Sequence, residues 1–284
     1  MSVDGPENAE SGPSSRFTRR AAGEPASALG SVALYAYVLD ADDELAQDLP
    51  LSDRLRARQH VTARVLQAEP GESALGRWLT TIGRGPGLLI LDGLLAADTR
   101  VADRTITELL GSGDLVQPPS RHTDDLIERI ESWRALSPCR LALLDGEFAD
   151  RVLPWPPIAR ALLRRAERRA EDLGVLRAIS CEPRLEIRLV LLLFHLATRW
   201  GRVEPGGIHL TMPLTHRLLG QLVAAERPSV SNALGRLAGA GLVTGAADDL
   251  HLHGDLGGQL RSLARPRAPL EHARPVRPAE RRRA

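Results

Sequence analysis

Leu214-Thr215-His216-Arg217-Leu218-Leu219-Gly220-Gln221-Leu222-Val223-Ala224-Ala225-Glu226-Arg227-Pro228-Ser229-Val230-Ser231-Asn232-Ala233-Leu234 decides how this chain is read. Its apolar residues fall at Leu218, Leu219, Leu222 and Val223, then at Val230, Leu234 and, just beyond, Leu237. Spacings of three and four place each set on one face of a helix. The stretch therefore predicts two short helices joined by a tight turn. The other face of the second helix carries Arg227, Ser229, Asn232 and Arg236. Side chains of these types reach phosphates and base edges in a major groove. Two helices in this order form a helix-turn-helix, and the function it predicts is DNA binding.

The segment resembles the helix-turn-helix of the Crp/Fnr family, the cyclic-AMP receptor protein group of bacterial regulators. The matching residues are Thr215, Leu218-Leu219, Gly220-Gln221-Leu222-Val223, the turn Ala224 to Glu226, Arg227 and Ser229-Val230. Downstream, Leu237-Ala238-Gly239-Ala240-Gly241-Leu242-Val243 resembles a helix end feeding a wing. There are departures. Pro228 and Asn232 stand where the cyclic-AMP receptor protein has Glu and Arg, so the operator is expected to differ. Leu218 replaces a polar residue, and Ala224 replaces the usual turn glycine. The resemblance implies an α+β protein with three parts. They are an N-terminal β-roll of the cyclic-nucleotide-binding type, a long dimerisation helix and a C-terminal winged helix-turn-helix.

At 284 residues the chain holds one large or two ordinary domains. Aromatic residues make up only 3%, so the core must be filled by Leu, Val and Ala. A net charge of +1 confines any nucleic-acid surface to a local patch. All 37 basic residues are Arg, whose planar fork pairs with guanine or phosphate. Cys139 and Cys181 are isolated, which excludes a disulfide framework and an iron–sulfur cluster. Met1 to Gly30 lacks the apolar core of a signal peptide. The longest apolar run, Leu189 to Phe194, is too short to span a bilayer. A cytoplasmic protein without membrane contact is expected.

Five segments follow. Residues 1–30 are rich in Ser, Gly, Pro, Ala and Glu and read as a disordered tail. Residues 31–153 are expected to form the β-roll. Ser31 to Val38 is a candidate strand. His60 to Leu66, Arg77 to Ile82, Gly87 to Leu91, Arg100 to Leu109 and Arg140 to Leu144 are apolar stretches of strand length. Gly83-Arg84-Gly85-Pro86-Gly87 and Gly111-Ser112-Gly113-Asp114 punctuate them. Residues 154–180 hold a long amphipathic helix and a hinge, with Ile158, Leu162, Ala166, Ala170 and Leu173 on one face. That face packs on the β domain or, as the resemblance implies, on a second copy. Residues 181–257 form the winged helix-turn-helix. A first helix runs from Glu182 to Trp200, apolar at Ile187, Val190, Leu191, Phe194 and Thr198, with Gly201 after it. Ile208 to Leu210 reads as a strand; Leu242 to Thr244 and Leu250 to His253 read as the wing hairpin. Residues 258–284 read as a basic Pro- and Arg-rich tail, able to add sequence-independent phosphate attraction.

Thr215 is expected to cap the first helix. His216 and Arg217 lie where the DNA backbone passes. Arg227, followed by Pro228 in the first turn, is the leading candidate for a guanine contact. Ser229 and Ser231 can bond phosphate or base, Asn232 adenine, and Arg236 phosphate. The resemblance implies double-stranded DNA, a second copy and RNA polymerase as partners. In its nucleotide-binding members, Gly-Glu-Leu and an Arg-Ser pair hold the effector. Here the Glu position falls on Pro118 and the pair on Arg129-Ile130, so only Arg129 is left as an effector-binding candidate. Cyclic nucleotide binding is therefore not expected, and no cofactor or metal is. His60, His122 and Cys139 are isolated candidates for a haem ligand. Asp248-Asp249-Leu250-His251-Leu252-His253 puts two His on one strand face, a pattern that suits a metal but also a polar wing. The chain shows no phosphate loop, zinc-protease pair or nucleophile elbow, so no enzyme is expected. A protein-interaction module that no longer binds DNA is the alternative.

Overall fold

The computed structural model describes residues 34–71, 75–83, 85–117, 126–246 and 248–264. The two expected tails therefore fall outside the described residues, save for 258–264, as do Arg84, Pro118 and His122. The chain opens with strand β1 (Tyr35–Tyr37), helix α1 (Val38–Ala41), a 3-10 turn at Asp43–Ala46 and helix α2 (Leu51–His60). Strand β2 (Thr62–Ala68) and helix α3 (Leu75–Thr81) follow. Next come β3 (Gly87–Asp92), β4 (Leu94–Val101), β5 (Arg104–Gly111), β6 (Leu115–Val116), β7 (Arg129–Ala135) and β8 (Cys139–Leu144). One antiparallel sheet has the order β1-β2-β8-β3-β6; a second has the order β5-β4-β7.

The near-continuous burial of β3 explains the layering. Leu89 and Leu91 join one core with Phe148, Trp155 and Ile158; Leu88 and Ile90 join another with Leu95, Trp133 and Leu143. Side chains alternate along a strand, so one apolar run serves both faces. The β-roll expectation holds, with corrections in detail. The expected strand Arg77 to Ile82 is helical as far as Thr81, because Leu75, Leu79 and Ile82 are buried and their spacing is that of a helix. Arg100 to Leu109 spans the tip of the β4–β5 hairpin and is not one strand. Of the candidate strand Ser31 to Val38, residues 31–33 lie outside the described residues, Tyr35–Tyr37 form β1, and Val38 already begins α1.

Helix α4 (Gly146–Val152) leads into α5 (Pro156–Ser180), with Pro156 in its first turn. The single apolar face expected for α5 divides in two. Ile158, Ala161 and Leu162 pack into the β domain. Ala159, Leu163, Ala166, Ala170 and Leu173 form a second stripe at alternating spacings of four and three. Leu163 in it is 59% exposed and Leu173 39%. Arg165 is buried between these faces. Its guanidinium donates to Asp42 at 2.8 and 2.9 Å and pairs with Glu44 at 2.8 Å. It also covers Gly113, where φ is +84° and a Cβ would lie 2.5 Å from Arg165 Nη1. Only glycine suits that turn.

Helix α6 (Leu185–Trp200) begins the C-terminal unit. Its buried residues are Leu189, Val190, Leu192, Leu193, Leu196 and Ala197. Of the expected stripe only Val190 is fully buried; Ile187, Leu191 and Phe194 are half-buried and Thr198 is exposed. A helix apolar on every side gives periodicity nothing to choose between. Strands β9 (Gly201–Glu204) and β10 (Gly207–Leu210) precede helices α7 (His216–Leu222) and α8 (Arg227–Gly239). Strands β11 (Val243–Ala246) and β12 (Asp249–His253) form the wing, in a sheet ordered β11-β12-β10-β9. Helix α9 (Leu256–Ala264) corrects the boundary placed at residue 258. Its Leu256, Leu260 and Leu263 pack on the α6 core, and buried Gln259 donates to the carbonyls of Leu242 and His253, each at 2.8 Å. Among the described residues no helix is long and apolar enough to cross a membrane.

Burial raises the pKa of Asp42, and the positive charge of Arg165 pulls it back. Arg165→Met removes that charge while both side chains of the pair are about nine-tenths buried. It should lower stability at neutral pH by about 3 kcal/mol. A carboxyl whose pKa is raised on folding favours the protonated fold, so the deficit should shrink as pH falls through the Asp42 value. Denaturant titrations across acidic pH check both statements.

Candidate nucleic-acid interface

Thr215 caps α7, its Oγ1 accepting from the Leu218 amide at 3.2 Å, as the sequence predicts. The turn that follows is tight. A Cβ on Gly220 would sit 2.5 Å from the Ala225 carbonyl oxygen, and Ala224 takes a positive φ of 51° where the resemblance places glycine. Arg188 of α6 holds this turn by donating to the Val223 carbonyl at 2.7 Å. Helix α8 then buries Val230, Ala233 and Leu237. Its opposite face is an exposed row of Pro228, Asn232, Gly235 and Gly239. Sequence reading missed the two glycines, although their spacing from Pro228 places them there. A Cβ on either would meet nothing within 4 Å.

The predicted contact residues separate into two groups. The side chains of Arg217, Arg227, Ser229 and Asn232 are exposed and make no hydrogen bond or ion pair among the described residues. The others are engaged within the protein. Ser231 Oγ donates to the Arg227 carbonyl at 3.1 Å, so the His216 Nδ1 lying 2.8 Å from that oxygen is the donor to it. This bond joins α7 to α8. Arg236 Nε donates to Glu186 of α6 at 2.7 Å. Burial would raise the pKa of Glu186, but its own backbone hydrogen bond, the Arg236 contact and the charges of Arg236 and Arg184 outweigh burial and lower it. Within the protein Arg236 is a strut between α8 and α6. The wing flanks the row. Thr244, Gly245 and Ala246 face Ser231, Leu234, Gly235 and Ala238 across a cleft of about 250 Å³.

Arg129, the effector candidate, lies on β7 in a cleft of about 360 Å³ with Asp98, Thr99, Glu108 and Glu131, closed by Arg169 and Leu173 of α5. Arg129 Nε is 3.6 Å from Glu131, Arg169 is hydrogen-bonded to Glu108, and Thr107 donates to Asp98. Carboxylates outnumber guanidiniums in the described lining. The domain junction is also ionic. Arg199 of α6 donates to Asp114 at 2.6 Å and to the Ser112 carbonyl at 2.7 Å. Leu94, Ala96 and Leu109 of the β domain share the core of α6, α7 and α8. Of the haem-ligand candidates, His60 bonds the Arg56 carbonyl and Cys139 is buried, which raises its pKa. Among the described residues no group of three His, Cys, Asp or Glu is arranged to hold a metal ion.

Residues 187–253 match the Crp-like helix-turn-helix domain. No curated protein matches the chain by sequence. Solved structures similar to it are alike in fold. CooA from Carboxydothermus hydrogenoformans, solved as a variant, is 16% identical with a TM-score of 0.55, covering 71% of this chain and 87% of its own. FixK2 from Bradyrhizobium japonicum is 14% identical with a TM-score of 0.53, covering 72% and 99%. CLP of Xanthomonas campestris, described as a c-di-GMP-responsive global regulator, is 18% identical with a TM-score of 0.53, covering 72% and 100%. The chain carries a Crp-like helix-turn-helix domain and has the fold of the Crp/Fnr transcription regulators.

Proposed function

We propose that this protein is a sequence-specific DNA-binding transcription regulator that acts as a homodimer in the cytoplasm. The observation that carries this reading is the group of side chains Arg227, Ser229 and Asn232, exposed and without a partner among the described residues, on a helix whose other side is packed. The amino end of a recognition helix reaches deepest into the major groove, which is where Arg227 sits. The outward stripe of α5 supports dimerisation. Its spacing of four and three is that of a two-helix seam, and Leu163 and Leu173 on it are 59% and 39% exposed. A two-fold dimer presents two α8 helices to half-sites about 34 Å apart on one face of the duplex. Such a protein works by binding and needs no chemistry. RNA polymerase is the further partner that this role implies.

The cleft at Arg129 is the place for an effector. Its acidic lining disfavours a cyclic phosphate, because Arg129 and Arg169 already face carboxylates there. An interaction module without DNA binding is favoured by one observation. Two of the four residues in the outward row of α8 are glycines, which offer no side chain to a base.

Arg227→Ala should cost about 1–3 kcal/mol in binding to a selected operator and relax base choice at one position of each half-site. Titration against a library of operator variants measures both, and unchanged operator choice would sink the DNA-reading role. Leu163→Glu, which puts a charge in the middle of the α5 stripe, should convert the dimer to a monomer of unchanged secondary structure. Sedimentation velocity reads the first result and circular dichroism the second. A monomer has one reading head, so operator affinity should fall with it.

A further inference from the structure

The outward face of the wing sheet carries a row of histidines that the DNA-reading surface leaves unused. The sheet turns Leu210, Val243, Leu250 and Leu252 into the core. Alternation sends His209, His251 and His253 to the other side. His209 and His251 face each other in register on β10 and β12, and their rings stack with centroids 5.0 Å apart. His251 and His253 stack at 5.5 Å. Every strand supplies a group to this face. From β9, Glu204 places one carboxylate oxygen 3.8 Å from His209 Nδ1 and the other 3.8 Å from His251 Nε2, and Arg202 lies 3.9 Å from it. From β12, Asp249 bonds His209 Nε2, with exposed Asp248 beside it in the turn. From β11, uncharged Thr244 bonds His253 Nε2 at 2.7 Å.

Histidine is the side chain that changes charge between pH 5 and 8. With the imidazoles neutral, Glu204, Asp248 and Asp249 outweigh Arg202, and the face is anionic. With them protonated it is cationic. The stacked rings repel one another once charged, and Glu204 and Asp249 beside them offset that repulsion. His251 and His253 lie one strand, about 4.8 Å, beyond β11 and His209 lies two, and β11 borders the exposed flank of α8 at Gly235. A charge on His251 or His253 lies within about one Debye length, ~8 Å at physiological salt, of a phosphate seated beside β11, and His209 lies just beyond that distance.

We propose that His209, His251 and His253 make DNA affinity respond to protons: as pH falls, the wing changes from repelling the phosphate backbone to attracting it. This rests on the reading of α8 as a DNA-binding element. The test measures the affinity of the full chain for a selected operator and for a mixed-sequence duplex at about pH 8 and about pH 6, each at two salt concentrations. Binding to both duplexes should tighten about tenfold at the lower pH. The slope of log affinity against log salt should steepen by roughly one to two phosphates' worth. The variant His209→Gln/His251→Gln/His253→Gln should lose most of this response and keep its affinity at the higher pH. Glu204→Gln, which removes one anion without touching an imidazole, should tighten binding at the higher pH. That variant and the wild-type salt slopes keep the test decisive if the triple variant does not fold. A wild type insensitive to pH, or a triple variant with the same pH response, would overturn the proposal and leave the reading of α8 intact. No DNA binding at any pH would overturn both.

Discussion

The burial of α6 from two sides is the constraint on which the rest depends. One side of the helix packs beneath α7 and α8, and the same core reaches Leu94, Ala96 and Leu109 of the β4–β5 hairpin. A recognition unit with an independent core would need only one apolar face on its first helix. The run Leu189 to Phe194 is apolar all round because it serves both neighbours. Polar contacts at its two ends fix the orientation. Arg199 clasps Asp114 and Ser112 at one end, and Glu186 and Arg188 hold α8 and the α7–α8 turn at the other. The reading helix is thereby coupled to the β domain through a single rigid rod. A shift at the turn Gly111–Asp114 has a direct mechanical route to α8.

That turn is gripped a second time. Arg165 of α5 lies over Gly113 while pairing with Asp42 and Glu44. One β-turn therefore touches both long helices, one that orients the DNA-binding unit and one that bears the outward apolar stripe. The Glu108–Arg169 pair lies nearby and helps to line two clefts, the one at Arg129 and another at the domain junction with Asp114 and Arg199. Allosteric control requires two sites that bias one structural element. These contacts identify the element that would be biased and leave the ligand open.

The helix-turn-helix and the wing were legible because their signals are local. Thr215 caps where a cap was expected, and the buried residues of α7 and the apolar set of the wing fall where periodicity puts them. Other features depended on tertiary partners that no local pattern discloses. Arg236 has the right side chain at the right spacing for phosphate, yet Glu186, distant in sequence, claims it. Helix α5 has one continuous apolar pattern in sequence, and the β domain takes only Ile158, Ala161 and Leu162 from it. Helix α9 follows directly on the wing, and Gly257-Gly258 obscured it. Its start is fixed by Asp255, which accepts from the Gly258 amide at 2.8 Å, and by the buried amide of Gln259.

The use of arginine ties these observations together. A chain whose 37 basic residues are all Arg and whose net charge is +1 cannot rely on diffuse positive charge to hold DNA. Much of that arginine is structural. Arg165, Arg169, Arg188, Arg199 and Arg236 bind carboxylates or carbonyls and fasten one element to another. On the helix-turn-helix itself, Arg217 and Arg227 are the guanidiniums without a partner among the described residues. Non-specific affinity grows with the number of phosphates neutralised, so a surface with few free cations starts from a low base. Against that base, a few charges gained or lost on a neighbouring strand are a large fraction of the total. A histidine row that would be a minor correction on a lysine-rich winged helix is therefore placed to change the affinity of this one.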